Sequence, residues 1–156
     1  MSQAREPLVS LVVPAHNEAS TVPAFVEKTA KAFADLGRAW ELVYVDDGST
    51  DGTAAAVEAV AAREPRVRLV RQRRRLGLTE ALNRGFREAR GDTIVFLPAD
   101  LESDPEVDVP LLLGKLDQGY DVVSGWRQGR RDGKRMASWV ANAACRLLFG
   151  LEVHDL

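Results

Sequence analysis

The sequence predicts an α/β fold in which a mainly parallel sheet is flanked by helices on both faces. Two observations carry this expectation. Short runs of β-branched and apolar residues alternate with segments long enough to be helices, the order expected of parallel strands joined by right-handed crossovers. The chain of 156 residues, 46% hydrophobic and 28% charged, is also long enough for one buried core and short for two.

Leu8–Val13 is almost continuously apolar and runs into Pro14, as expected of a strand covered on both sides. Ser20 and Thr21 can cap a helix with Phe25, Val26, Thr29, Ala30, Phe33 and Leu36 at helical spacing and Gly37 as its stop. Trp40–Val45 reads as strand, Asp46–Gly52 as a tight loop, and Thr53–Arg63 as an alanine-rich helix halted before Pro65. Val67–Val70 is a third strand, Leu78–Ala89 a third helix closed by Gly91, and Thr93–Leu97 a fourth strand. Pro105–Leu116 offers a helix with an irregularity at Pro110, Asp121–Ser124 a fifth strand, and Met136–Phe149 a last helix.

Composition narrows the functional classes. Twenty-one basic and 23 acidic residues give a formal charge of −2, so no overall field draws the chain to nucleic acid or an anionic membrane, and any such attraction is local. The single cysteine, Cys145, forbids an internal disulfide and fits a reducing compartment; a cytoplasmic location is expected, with room for peripheral contact at the inner face of a membrane. No apolar run reaches the ~18 residues of a membrane span. The turn after the first strand is not G-x-G-x-x-G, and Gly129–Arg135 lacks the spacing of a P-loop, which removes dinucleotide oxidoreductase and P-loop readings. His16 and His154 form no local zinc motif, and Cys145 on an apolar helix reads as packing.

In open α/β sheets ligands bind beyond the carboxyl ends of the strands. Every such exit here carries polar residues: His16, Asn17 and Glu18; Asp46 and Asp47; Arg71, Arg73, Arg74 and Arg75; Asp100 and Glu102; Trp126 and Arg127. Asp46 or Asp47 can accept from a base N–H or a ribose hydroxyl, with Gly48 allowing close backbone approach; a turn that merely caps the next helix is the competing reading. Asp100 and Glu102 offer hard oxygens for Mg²⁺ or Mn²⁺, against which stands a capping cluster with Ser103, Asp104 and Glu106. The arginine loop lacks the interleaved aromatics of a nucleic-acid site and reads as phosphate-facing or solvated. A second basic stretch, Arg127–Arg135, could close over phosphates or be a solvated connection.

Val13-Pro14-Ala15-His16-Asn17-Glu18 followed by Val45-Asp46-Asp47-Gly48-Ser49-Thr50-Asp51-Gly52-Thr53 resembles the family-2 glycosyltransferases of GT-A, Rossmann-like fold. The likeness continues through Gly77-Leu78, Ala81-Leu82-Asn83, Ala89-Arg90-Gly91-Asp92, Pro98–Pro105 and Asp121–Arg127, and within the family it is strongest to the dolichol-phosphate mannose synthase-like, or polyprenyl-phosphate, branch. The resemblance implies transfer of a hexose from a nucleotide diphosphate sugar, of GDP-mannose or UDP-glucose type, to a polyprenyl phosphate, with inversion and with Mg²⁺ or Mn²⁺ on the diphosphate, as in cell-wall or glycoconjugate biosynthesis. It implies that Pro14, Ala15, His16, Asn17, Glu18, Asp46, Asp47, Gly48, Ser49, Arg75, Gly77, Ala99 and Asp100 bind the nucleotide sugar, that Asp100 and Arg127 are catalytic, and that Asp100 and Glu102 hold the metal. Two departures stand out: Pro98 occupies the place of the first acid of the family's D-x-D, and the chain ends at Leu156, where the family pattern continues. A single domain over residues 1–156 without the family's C-terminal extension is therefore expected. The alternatives are a family-2 enzyme with a polysaccharide, protein or small-molecule hydroxyl acceptor, a non-catalytic nucleotide-sugar-binding module, and, more weakly, an RNA-binding domain using the arginine loops.

Overall fold

The computed structural model describes residues 8–125. The chain divides into two units, Met1–Gly119 and Tyr120–Leu156. In the first, the elements run β1 (Val9–Ala15), α1 (Val22–Leu36), β2 (Trp40–Asp46), α2 (Thr53–Ala61), β3 (Val67–Arg71), α3 (Leu78–Glu88), β4 (Thr93–Phe96) and α4 (Pro105–Leu116). The four strands are all parallel, in the order β3-β2-β1-β4. The expected α/β architecture with helices on both faces is what forms.

Strand alternation sorts the core into two clusters. Val9, Leu11, Val13 and Ala15 of β1 with Leu42 and Tyr44 of β2 pack against Phe25 and Phe33 of α1, Val57 of α2, and Val109 and Leu113 of α4. Val12, Val43, Val45 and Val70, from the alternate positions, face Ala81 of α3. Gly85 lets α3 lie close on this second face: a Cβ there would come within 2.3 Å of the Val12 Cγ1.

At the end of the sheet opposite the predicted site, a buried carboxylate ties three segments together. Glu41 accepts from Ser10 Oγ at 2.7 Å, from the Arg90 N–H at 2.7 Å and from Arg68 Nη2 at 3.1 Å. Burial alone would push its carboxyl up, but the bonds from Ser10, Arg90 and Arg68 together outweigh it and hold the group below the ordinary glutamate range. The Gly91 N–H also donates to Ser10 Oγ, so the turn from α3 into β4 hangs on this pair.

Local limits differ from the sequence reading in instructive places. Pro14 lies inside β1, paired with Val45. Val12 O accepts from the Leu97 N–H on the β4 side, and Ala15 O from the Asp47 N–H on the β2 side. By that alternation the missing N–H of Pro14 faces β4, whose ladder has already ended at Phe96, so no bond is lost. The α4 helix carries Pro110 without ending. Asp121–Ser124, expected as a strand, has no ladder partner among the described residues; a strand exists only through such pairing.

Candidate functional site

Parallel strands deliver all their exits to one edge, and the strand order selects a place on it. From β1 the chain moves first to β2 and β3, then crosses to β4 on the other side, so β1 and β4 flank the point where connections diverge, the place where open α/β sheets form their ligand crevice. The loop after β1 (His16–Glu18) and the loop after β4 (Pro98–Glu102) border it. Ala15 and Ala99, both buried, belong to the same core cluster and anchor the two loops at their bases.

The β1 and β2 loops are bonded into one body. The Asp47 N–H donates to Ala15 O, and the His16 Nδ1–H donates to Asp47 O at 2.9 Å; the carbonyl can only accept, which places the proton on Nδ1 and leaves Nε2 toward the Asn17 amide at 3.5 Å. The Asn17 N–H donates to Ser49 Oγ and Asn17 Oδ1 accepts from the Thr50 N–H, both at 2.9 Å, which supports the left-handed backbone of Asn17 at φ 59°. The Glu18 N–H donates to Thr53 Oγ1, and the Ala19 N–H to Asp51 Oδ2. Bonds from the Thr53 hydroxyl and the Ala19 N–H hold the Asp51 carboxyl below its ordinary range. Asp51 and Thr53 are thus positioning residues that were not among the expected binding residues, although both stand in the motif that carries the family resemblance.

The paired acids separate in role. Asp47 spends both oxygens on the third loop, Oδ1 accepting from the Leu76 N–H at 2.6 Å and Oδ2 from the Gly77 N–H at 2.8 Å. Gly48 seals the same junction: its φ is +65°, and a Cβ would lie 2.4 Å from the Arg74 carbonyl carbon and 2.5 Å from the Arg75 nitrogen. Asp46, on the opposite face of β2 and fully buried, accepts from the Ser49 N–H with Oδ1. Its Oδ2 lies 3.4 Å from Arg71 Nε without a formed hydrogen bond and is left unsatisfied among the described residues. A buried carboxylate oxygen in that state has acceptor capacity to spare. Two residues deeper on the same face, the Tyr44 hydroxyl also has no hydrogen-bond partner among the described residues; burial, and next the charge of Glu18, push its pKa up.

On the β4 loop, Asp100 and Glu102 are exposed, and Asp100 Oδ1 accepts from the Glu102 N–H at 3.0 Å. Leu101 between them takes a left-handed φ of 60°, costly for a leucine by about 1–2 kcal/mol. The helix-capping alternative falls to a different residue: Asp104 caps α4 by accepting from the Glu106 N–H, and its bond to Lys28 Nζ holds its carboxyl below the usual range. Among the described residues no three acids, histidines or cysteines gather as a complete cage for an ion. Asp100 and Glu102, two residues apart in sequence and both exposed, could each offer a hard oxygen to a Mg²⁺-like or Mn²⁺-like ion whose other ligands are waters and phosphate oxygens.

Of the predicted residues, Pro14–Glu18, Asp46–Ser49, Arg75, Gly77, Ala99, Asp100 and Glu102 all lie at the one sheet edge. Arg127 and Trp126 lie outside the described residues. No described helix is long and apolar enough to cross a membrane.

Comparison with known proteins gives a concordant result. The model of glycosyl transferase family 2 matches residues 10–150. The undecaprenyl-phosphate 4-deoxy-4-formamido-L-arabinose transferase of Pseudomonas paraeruginosa is 40% identical over 151 residues, 95% of this chain and 44% of that protein. The dodecaprenyl-phosphate galacturonate synthase of Rhizobium johnstonii is 38% identical over 152 residues, 94% of this chain and 45% of that one. The chain thus spans less than half the length of these curated relatives. Among solved structures, the glucosyl-3-phosphoglycerate synthase of Mycobacterium tuberculosis with bound UDP matches at a TM-score of 0.67 and 29% identity, over 91% of this chain and 50% of that one. A Pyrobaculum calidifontis mannosyltransferase in complex with GDP-Man and Mn²⁺ matches at 0.55 and 33% identity, over 62% of this chain and 28% of that one.

Proposed function

This chain belongs to glycosyl transferase family 2, and we propose that it moves a hexose-type sugar from a nucleotide diphosphate to a polyprenyl phosphate, with inversion. The observation that carries the reading is the set of bonds that joins the β1, β2 and β3 exits into one assembly at a single sheet edge, with a spare acceptor, Asp46 Oδ2, next to the exposed Arg71. The relatives named for undecaprenyl-phosphate and dodecaprenyl-phosphate products support the acceptor class.

In this reading the exposed Arg71, 3.4 Å from Asp46 Oδ2, moves aside and the oxygen accepts an N–H or O–H of the nucleoside, Glu18 serves as a second acceptor, and Asp47, Gly48 and Asp51 hold the loops. Asp100 and Glu102 would hold a divalent ion, which supplies charge neutralisation on the diphosphate. The acceptor needs no dedicated general base, because a phosphate monoester has a second pKa of about 6 and is largely dianionic near neutrality. Its oxygen attacks the anomeric carbon as the bond to the diphosphate breaks, and the electron pair leaves with the nucleotide. The protein's work is then alignment and stabilisation of the departing charge, with the Arg75 and Arg127 guanidiniums as the cations assigned to it.

Calorimetric titration with UDP- and GDP-sugars in Mg²⁺ or Mn²⁺, followed by a transfer assay on undecaprenyl phosphate and on hydroxyl acceptors, tests the reading. Donor binding and turnover with the phosphate acceptor are expected. Transfer to hydroxyl acceptors alone would replace the acceptor class, and absence of binding by every nucleotide sugar would remove the function.

A further inference from the structure

The loop between β3 and α3 carries more positive charge than the donor reading uses, which takes Arg75 and Gly77 from it and leaves Arg73 and Arg74. Arg73, Arg74 and Arg75 are exposed, and none pairs with a carboxylate among the described residues, while Arg71 alone reaches back to Asp46. This charge is carried on a fixed backbone, pinned by the two Asp47 bonds to Leu76 and Gly77 and by the close approach of Gly48 to Arg74.

Immediately after the arginines the surface turns apolar. Ala81 and Gly85 face the sheet from α3, so Leu78, Leu82 and Phe86, four residues apart, run along one flank of the helix. The opposite flank carries Glu80, Arg84 and Glu88, and Glu88 leans to Arg68 on β3, which places the apolar flank on the β1 and β4 side. There Ile94 and Phe96 of β4, in register with Ser10 and Val12, continue the same face of the sheet beyond the cover of α3. Leu76, Leu78, Phe86, Ile94 and Phe96 are each at least 40% exposed. An apolar strip bordered at the strand-exit end by the exposed Arg73 and Arg74, with no acid in residues 71–78, is complementary to an anionic amphiphile: negative headgroups meet the arginines and acyl chains meet the strip. Single-stranded nucleic acid would want aromatics among the arginines, and the loop has none.

We infer that the β3–α3 loop and the apolar flank of α3 form a docking surface for an anionic lipid bilayer. It adds a place of encounter with a membrane-borne acceptor and rests on the proposed function only for that purpose. The test is cosedimentation of the 156-residue chain with vesicles of phosphatidylcholine alone and of phosphatidylcholine mixed with phosphatidylglycerol, at low and high salt. Pelleting is expected on the mixed vesicles only, with release by salt. Each headgroup-facing cation contributes about fivefold, so Arg73→Glu with Arg74→Glu weakens binding more than tenfold, and Leu78→Ser with Phe86→Ser weakens it comparably; circular dichroism and thermal melting confirm that both variants stay folded. Equal pelleting on neutral vesicles, no pelleting, or binding retained by both double variants overturns the inference. A dimer dissolved by Leu78→Ser with Phe86→Ser, without vesicle binding, assigns the strip to a second copy, and salt-sensitive binding of single-stranded RNA without vesicle binding assigns the arginines to nucleic acid; either result overturns it as well. Nucleotide-sugar titration of the same samples reads the proposed function separately, since Arg73, Arg74, Leu78 and Phe86 are not assigned to the donor.

Discussion

Asp47→Asn and Asp46→Asn change neighbouring residues by the same few atoms, and the structure requires opposite consequences. Both oxygens of Asp47 accept backbone N–H groups, from Leu76 at 2.6 Å and Gly77 at 2.8 Å. An asparagine offers one acceptor and one NH₂, so whichever way it turns, a donor faces a donor. Loss of one charge-assisted bond costs about 1.5–3 kcal/mol, and a stranded N–H adds about 1 kcal/mol more, for a total of roughly 3 kcal/mol. In a chain of this size that corresponds to a melting temperature lower by about 9 °C. Asp46→Asn keeps the Ser49 bond on its remaining oxygen and loses only the loose approach to the exposed Arg71, worth about 0–1 kcal/mol. Its melting temperature therefore stays nearly unchanged, while donor affinity falls by a charge-assisted bond, roughly tenfold or more. Urea or thermal unfolding paired with nucleotide-sugar calorimetry reads both effects. An Asp47→Asn variant of unchanged stability that loses donor binding, or an Asp46→Asn variant that binds normally, would refute the division of labour between the two acids.

Gly48→Ala forces a methyl against the Arg74 and Arg75 backbone and a left-handed φ on alanine, and should cost at least the ~1–2 kcal/mol of that conformation, measured by urea unfolding. Asp100→Ala, at an exposed position, should leave the melting temperature intact and abolish transfer; turnover with normal metal dependence counts against the assignment. Glu41→Gln should destabilise by roughly 3 kcal/mol at neutral pH, because the amide keeps one oxygen for Ser10 and the Arg90 N–H but turns an NH₂ toward the Arg68 guanidinium, which loses its charged acceptor. Its folded pKa lies below the ordinary 4.5, so the wild-type advantage is fully present above about pH 4.5 and shrinks as pH falls through the lower folded value; an advantage independent of pH down to acid unfolding would show that the charge is not what matters.

Much of the fold was legible because it is written in local pattern. The apolar runs of β1 and β2, the spacing of Phe25, Val26, Thr29 and Phe33, and the glycine after α1 each constrain a few neighbours in the chain, and the elements they predict are the ones that form. The gathering of His16, Asp46, Arg71 and Asp100 at one edge followed from the parallel order alone. Identical side chains could not be told apart in this way. Asp46 and Asp47 are one acid repeated, and only the alternation of β2, with a partner loop about 30 residues later, sends Asp47 to the Leu76 and Gly77 amides and leaves an oxygen of Asp46 unsatisfied. The same holds for Asp104 as the cap of α4 in place of Asp100 or Glu102, for Pro14 inside a strand whose neighbour has already ended, and for Glu41, which reads as a polar residue in a strand and is the tie between Ser10, Arg68 and Arg90. Periodicity along a chain records which face a residue takes; what it meets there is set by segments far away in sequence, and hydrogen bonds, being directional and short, are decided only once those segments have been brought together.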